Sequence, residues 1–170
     1  RLLRACLSGS VPEDIRHEVQ RQTETFQTIS GFLPDYYDGH QHGHCLPGLD
    51  ASAAALPHRA ETWIRVPLPA TLLGLTLNVR AGGPKVLLIA ALAARAARTF
   101  RKAGWATNHD FSGFLRLDDP DQVARWLPRL LDAAPADSLM MVHPGSTTDP
   151  VQCPGHAAES RRMEAVILSA

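Results

Sequence analysis

Apolar positions recur along this chain with two alternating periods. Ile15, Val19, Gln22, Phe26 and Ile29 fall at spacings of four and three, a mostly apolar stripe that predicts a helix. Ser10 or Val11 caps it, Pro12 sits where a first-turn proline is tolerated, and Glu13 and Asp14 favour the positive end of the dipole. Gly31 and Pro34 end the helix, and a strand is expected from about Asp35 through Cys45. Gly48 to Leu56 predicts a short helix broken by Pro57, and Thr62 to Pro67 a strand whose apolar run is interrupted by Arg65. Residues 68–84 are Leu-rich but punctuated by Pro69, Gly74, Gly82, Gly83 and Pro84, which leaves helix and loop both open. Lys85 to Ala103 is Ala-rich, with Arg95, Arg98, Arg101 and Lys102 toward its C-terminal half, and predicts a helix closed by Gly104.

Trp105 to Phe114 predicts a strand or loop carrying Asn108, His109 and Asp110. Asp118 or Asp119 caps a helix starting at Pro120, with Val123, Trp126, Leu127, Leu130 and Leu131 toward the core. Ser138 to His143 predicts a short buried strand that delivers one histidine at its tip before Pro144-Gly145. A last helix is expected over about Ala157 to Leu168. Strict alternation of helices with apolar strands argues for an α/β fold, a parallel sheet flanked by helices, in a single domain over 1–170. In such folds chemistry gathers at the C-terminal ends of strands. His40 to His44, Arg65, Asn108 to Asp110 and His143 all fall at such ends.

The stretch Asp38-Gly39-His40-Gln41-His42-Gly43-His44-Cys45 concentrates the chemistry. In an extended strand His40, His42 and His44 share one face, because side chains two apart point the same way. Three imidazoles on one face are costly to bury alone, so a metal, a carboxylate or water is expected to meet them.

Basic and acidic residues balance at 17 each, which implies neither nucleic acid nor an anionic membrane surface as a partner. All the basic residues but Lys85 and Lys102 are Arg, a compositional bias rather than a patch. Cys6, Cys45 and Cys153 are odd in number and share no CxxC spacing, which fits a reducing, cytoplasmic location and argues against a disulfide framework. The longest apolar run, Val86 to Ala94, is too short to span a bilayer.

Pro34 to His44 with Leu46-Pro47 resembles the D-(S/G)-H-x-H-x-H…P signature of the YdjC-like carbohydrate deacetylases. Met141-Val142-His143-Pro144-Gly145 resembles that family's second signature, and Arg161-x-x-Glu164-x-x-x-Leu168-x-Ser169 the one that follows. Trp63 to Pro67 and Thr107 to Phe114 are most similar to the hopanoid-associated branch. The resemblance implies a distorted, TIM-like barrel whose members remove N-acetyl groups from amino sugars with a divalent metal, Mg2+ or Zn2+. His40 matches the family's metal-binding histidine and His143 the histidine taken to act as an acid. The family's A-D-D-F-G motif and its second histidine motif are absent from these residues, so the chain resembles the C-terminal portion of such an enzyme. On that basis it is expected to be inactive, or nearly so, alone.

Amide hydrolysis needs a strong nucleophile, a cation for the oxyanion and an acid for the leaving amine. In the implied scheme His40 is the metal ligand and His143 the acid; Asp38, His42 and His44 hold second-shell or substrate positions. Arg65 clamps a sugar or acetate oxygen, or forms a buried ion pair. Asn108 lines the cleft or serves turn chemistry. Arg161 and Glu164, spaced i, i+3, have a helix-surface ion pair as their default. The implied substrate is a chitooligosaccharide or a lipid-linked N-acetylglucosaminyl group, the latter entailing peripheral membrane contact. An unpaired barrel edge would invite a second protomer. The competing class is a non-catalytic barrel remnant that binds or oligomerises, and a stand-alone zinc site of His40, His42, His44 and His143 is a third reading.

Overall fold

The computed structural model describes residues 11–146 and 157–170, so Cys6, Cys153, His156 and the Ser10 cap lie outside the described residues. Helix α1 spans Glu13–Ser30, with Pro12 itself at the N-cap and Glu13 and Asp14 in the first turn. Gly31 ends it at φ 80°, where its N–H donates to the Gln27 carbonyl at 2.9 Å, a left-handed cap that a Cβ would strain. The expected stripe is only half realised. Ile15 and Val19 are half-buried, but Ile29 is 81 % exposed and Phe26 42 %, and Thr23 takes the buried place between them.

The chain divides into two units, Arg1–Pro67 with Ile89–Asn108, and Leu68–Leu88 with His109–Ala170. In the first, β1 (Tyr36–Tyr37), β2 (Trp63–Ile64) and β3 (Ala106–Thr107) form a parallel sheet in that order. Tyr36 is level with Trp63 and Trp63 with Ala106. Helix α2, Leu49–Ala54, follows a tight turn of His40–Cys45. Val11 and Leu49 form a small buried cluster with Ile15 and Leu46 against it. Asp50 of α2 is 1 % exposed and fully engaged: it accepts from Arg95 Nη1, Thr99 Oγ1 and the Gly48 N–H, each at 2.9 Å.

The stretch that left helix and loop open begins with helix α3, Leu72–Gly82, capped by Thr71, whose side chain accepts from the Gly74 N–H. Helix α4, Lys85–Lys102, begins in the second unit and runs on into the first. Ala90, Ala93, Ala97 and Phe100 recur at helical spacing along it and are all buried.

In the second unit β4 (Asp110–Ser112) and β5 (Ser138–Met140) pair in parallel, Phe111 level with Leu139. Helix α5, Pro120–Ala133, starts as the Asp-Pro pair predicts: the Asp119 carboxylate accepts from the Asp121 and Gln122 N–H groups. Its Val123, Leu127 and Leu130 are buried, whereas Leu131 is 36 % exposed. Asn78 of α3, 0 % exposed, ties this unit together. Its amide donates to Gly74 O and Ser112 Oγ, and its carbonyl accepts from the Gly113 and Phe114 N–H groups, both at 3.1 Å. Helix α6, Ala158–Leu168, closes the chain.

The α/β class therefore stands, as short parallel sheets with helices between the strands. Among the described residues no helix is long and apolar enough to cross a membrane.

Candidate functional site

The histidine run does not form the expected strand. Pairing stops at Tyr37, and His40–Cys45 coils into a tight 3-10 turn in which Gln41 and His42 adopt left-handed backbone at φ 50° and 61°. The alternation that put three imidazoles on one face is therefore lost. His40 is exposed, His42 half-buried, and His44 buried at 9 %. Glycine makes the turn possible. A Cβ on Gly39 would come 2.5 Å from His44 Nδ1 and 2.9 Å from the His44 backbone nitrogen.

His44 anchors the turn. Its Nε2 lies 2.6 Å from the Arg65 carbonyl, which can only accept, so Nε2 carries the proton and Nδ1 is bare when the ring is neutral. Burial, the largest influence, pushes its pKa below the usual histidine value. Arg65, itself buried, pairs with the exposed Asp38 rather than standing as a free clamp: Nε donates to Asp38 Oδ1 at 2.7 Å and Nη2 lies 2.5 Å from the same oxygen. The neighbouring Cys45 thiol is pushed up to about 12 by burial.

Asn108 bridges to the chain beyond β2. Its carbonyl accepts from the Val66 N–H at 2.7 Å and its amide donates to Val66 O at 3.0 Å, extending the β2–β3 pairing by one side-chain step. His109 is exposed, 3.3 Å from Asp137. Asp110 accepts from the Ala70 N–H at 2.6 Å and from the Ser138 hydroxyl.

A groove of about 580 Å³ opens beside the histidine turn in the first unit. Asp38, His40 and His44 line it together with Ile15, Glu18 and Phe26 of α1. A concave, largely apolar surface with a few polar groups is the usual form of a small-molecule site.

His143 lies in the second unit, three residues past β5, which is half-buried rather than fully buried. Its ring is exposed and its backbone is held by α6. The Glu164 carboxylate accepts from the His143 N–H, Arg161 Nε donates to the His143 carbonyl at 3.1 Å, and the Gly145 N–H donates to the Arg161 carbonyl at 3.0 Å. Arg161 and Glu164 thus serve the loop, not the helix surface. The i, i+3 spacing placing both on one helix face toward the loop was the available signal. Burial, the largest cause, raises the Glu164 pKa above the usual carboxylate value, opposed by the His143 N–H.

Among the described residues no three His, Cys, Asp or Glu side chains come together as a metal cage. The described residues therefore do not fit a complete metal shell, and the four-histidine zinc site is not among them. His40 stands free at the groove for a single-ligand contribution, while Asp38 Oδ1 is already engaged by Arg65.

Short parallel strands alternating with helices define an α/β protein, with His40 and His143 on loops that follow β1 and β5. The profile of the family described as YdjC-like protein matches residues 2–169, so the chain belongs to the YdjC-like family. That is a carbohydrate deacetylase family, and membership supports a general hydrolase role of the deacetylase kind. No curated protein and no solved structure matches the chain.

Proposed function

We propose that the chain belongs to a metal-dependent deacetylase that hydrolyses the N-acetyl group of an amino sugar. The observation that carries this reading is the groove shared by His40 and the Asp38–His44 turn, in a chain whose family deacetylates carbohydrates. His40 contributes one ligand to a divalent ion, Mg2+ or Zn2+, which when bound would polarise the acetyl carbonyl and acidify its water. His143, with its ring exposed, protonates the leaving amine. Arg65 and His44 hold Asp38 and the turn in place for substrate. Ile15, Val19 and Phe26 among the groove's lining support a lipid-linked N-acetylglucosaminyl substrate, as in the hopanoid-associated branch, over a free chitooligosaccharide. Under this reading the site sits in a TIM-like barrel and works in the cytoplasm at a membrane surface.

With His40 as the ligand found among the described residues, the ion is expected to bind weakly and turnover to be low. Acetate release from N-acetylglucosamine conjugates, with and without added Mg2+ or Zn2+, tests this. Brisk turnover by the 170 residues would contradict the incomplete shell. Metal affinity unchanged in His40→Ala would remove His40 from it. A second reading is a non-catalytic module that binds the sugar or a second copy of itself. Sugar binding without acetate release at saturating Mg2+ or Zn2+ would select it.

A further inference from the structure

Glu164 is 0 % exposed, yet its carboxylate uses only one of its two oxygens. Among the described residues Oε1 has no hydrogen-bond partner, and neither has the hydroxyl of Ser160, one helical turn earlier and 1 % exposed. A buried carboxylate with half its accepting capacity unused is a poor stabiliser, since an apolar side chain of similar size would avoid the desolvation cost. What the carboxylate supplies, and an apolar residue would not, is a charge-assisted acceptor for the His143 N–H. Arg161 completes the hold by donating to the His143 carbonyl and accepting from the Gly145 N–H, and Pro144 has no N–H that needs a partner. Both backbone polar groups of His143 are thereby tied to α6, while the imidazole itself stays exposed.

We propose that Glu164 is a positioning residue for His143: its buried carboxylate fixes the backbone of the His143-Pro144-Gly145 loop and so the place from which the imidazole delivers its proton. The proposal rests on the reading of His143 as the acid. It adds that the Glu164 carboxylate acts through the main chain and touches neither substrate nor the reacting atoms.

The test uses the full 170-residue chain and two variants. Glu164→Met keeps the volume and removes the acceptor; Glu164→Gln keeps an acceptor oxygen and removes the charge. Amide hydrogen exchange and the imidazole resonances of His143 are followed by NMR. Glu164→Met is expected to speed exchange at the His143 amide by about tenfold or more, as for loss of a hydrogen bond to a charged group. It should also shift the His143 ring resonances at fixed pH while the α6 amides stay protected. Glu164→Gln, which keeps an acceptor without the charge, is expected to exchange at a rate between those of wild type and Glu164→Met. Unaltered exchange at His143 in Glu164→Met overturns the proposal. So does loss of protection along all of α6 in both variants, which would make Glu164 a packing residue. These readouts do not require turnover. Wild-type acetate release by His143→Ala would refute the acid role of His143 and leave the tether itself standing.

Discussion

Replacing Gly39 by Ala isolates the packing of the histidine turn from its chemistry. Gly39 has φ −118° and ψ 131°, extended backbone that alanine adopts freely, so any cost is steric. The new methyl would lie 2.5 Å from His44 Nδ1, 2.9 Å from the His44 backbone nitrogen and 3.0 Å from its Cβ. The ring could swing aside, but the backbone nitrogen could not without moving the turn. Overpacking of this kind costs about 1–3 kcal/mol, and loss of the His44 bond to the Arg65 carbonyl about 1 more, giving about 2–4 kcal/mol in all. The assay is urea unfolding in a Trp126→Phe background, where Trp63 and Trp105 report on the first unit alone. In a His44→Ala background the penalty of Gly39→Ala should shrink but not vanish, because the backbone nitrogen and Cβ remain. A Gly39→Ala chain within about 0.5 kcal/mol of its parent, the range of an ordinary surface substitution, would refute the close approach.

Three further outcomes are expected. Asn78→Leu strands the Gly113 and Phe114 N–H groups in a buried site, and should cost the second unit about 2–5 kcal/mol, read from Trp126 fluorescence on unfolding; under about 1 kcal/mol would contradict the shared carbonyl. His44 has its pKa lowered by burial, so the unfolded chain takes up protons first, and stability of the first unit should fall as pH drops below about 6.5. His44→Gln should flatten that acid limb, and an unchanged limb would show the ring to be protonated in the fold. Glu164 has its pKa raised by burial, so its contribution should weaken the second unit as pH climbs from about 4.5 through the folded value, and Glu164→Gln should abolish that slope in thermal melts.

Helices were legible in this chain because their signals are local. Asp119-Pro120 marks a start by capping and fixed φ, and the Ala-rich run from Lys85 carries propensity over eighteen residues. The strands were legible in order but not in length, since each pairs over only two or three residues and the flanking extended chain makes no ladder. The histidine run was misread for a definite reason. Alternation of period two describes a strand only if the backbone stays extended, and the left-handed conformations at Gln41 and His42 break that condition. The α1 stripe overreached because periodicity does not say where a helix stops touching its core, which here is after Thr23. Asn78 and Glu164 gave no signal of burial, because polar residues in an amphipathic helix read as solvent-facing until their partners in distant loops are known. Arg65 was readable as one of two alternatives, and the structure selects the ion pair with Asp38.

Gln41 and His42 hold backbone angles that suit glycine, at a cost of about 1 kcal/mol or more each. An engineer wanting a hardier protein would write glycine at either position, and calorimetry should record the relief as a higher melting temperature. The same edit would slacken the bend that carries His40 to the lip of its hollow. Robustness and a poised imidazole therefore pull this short segment in opposite directions.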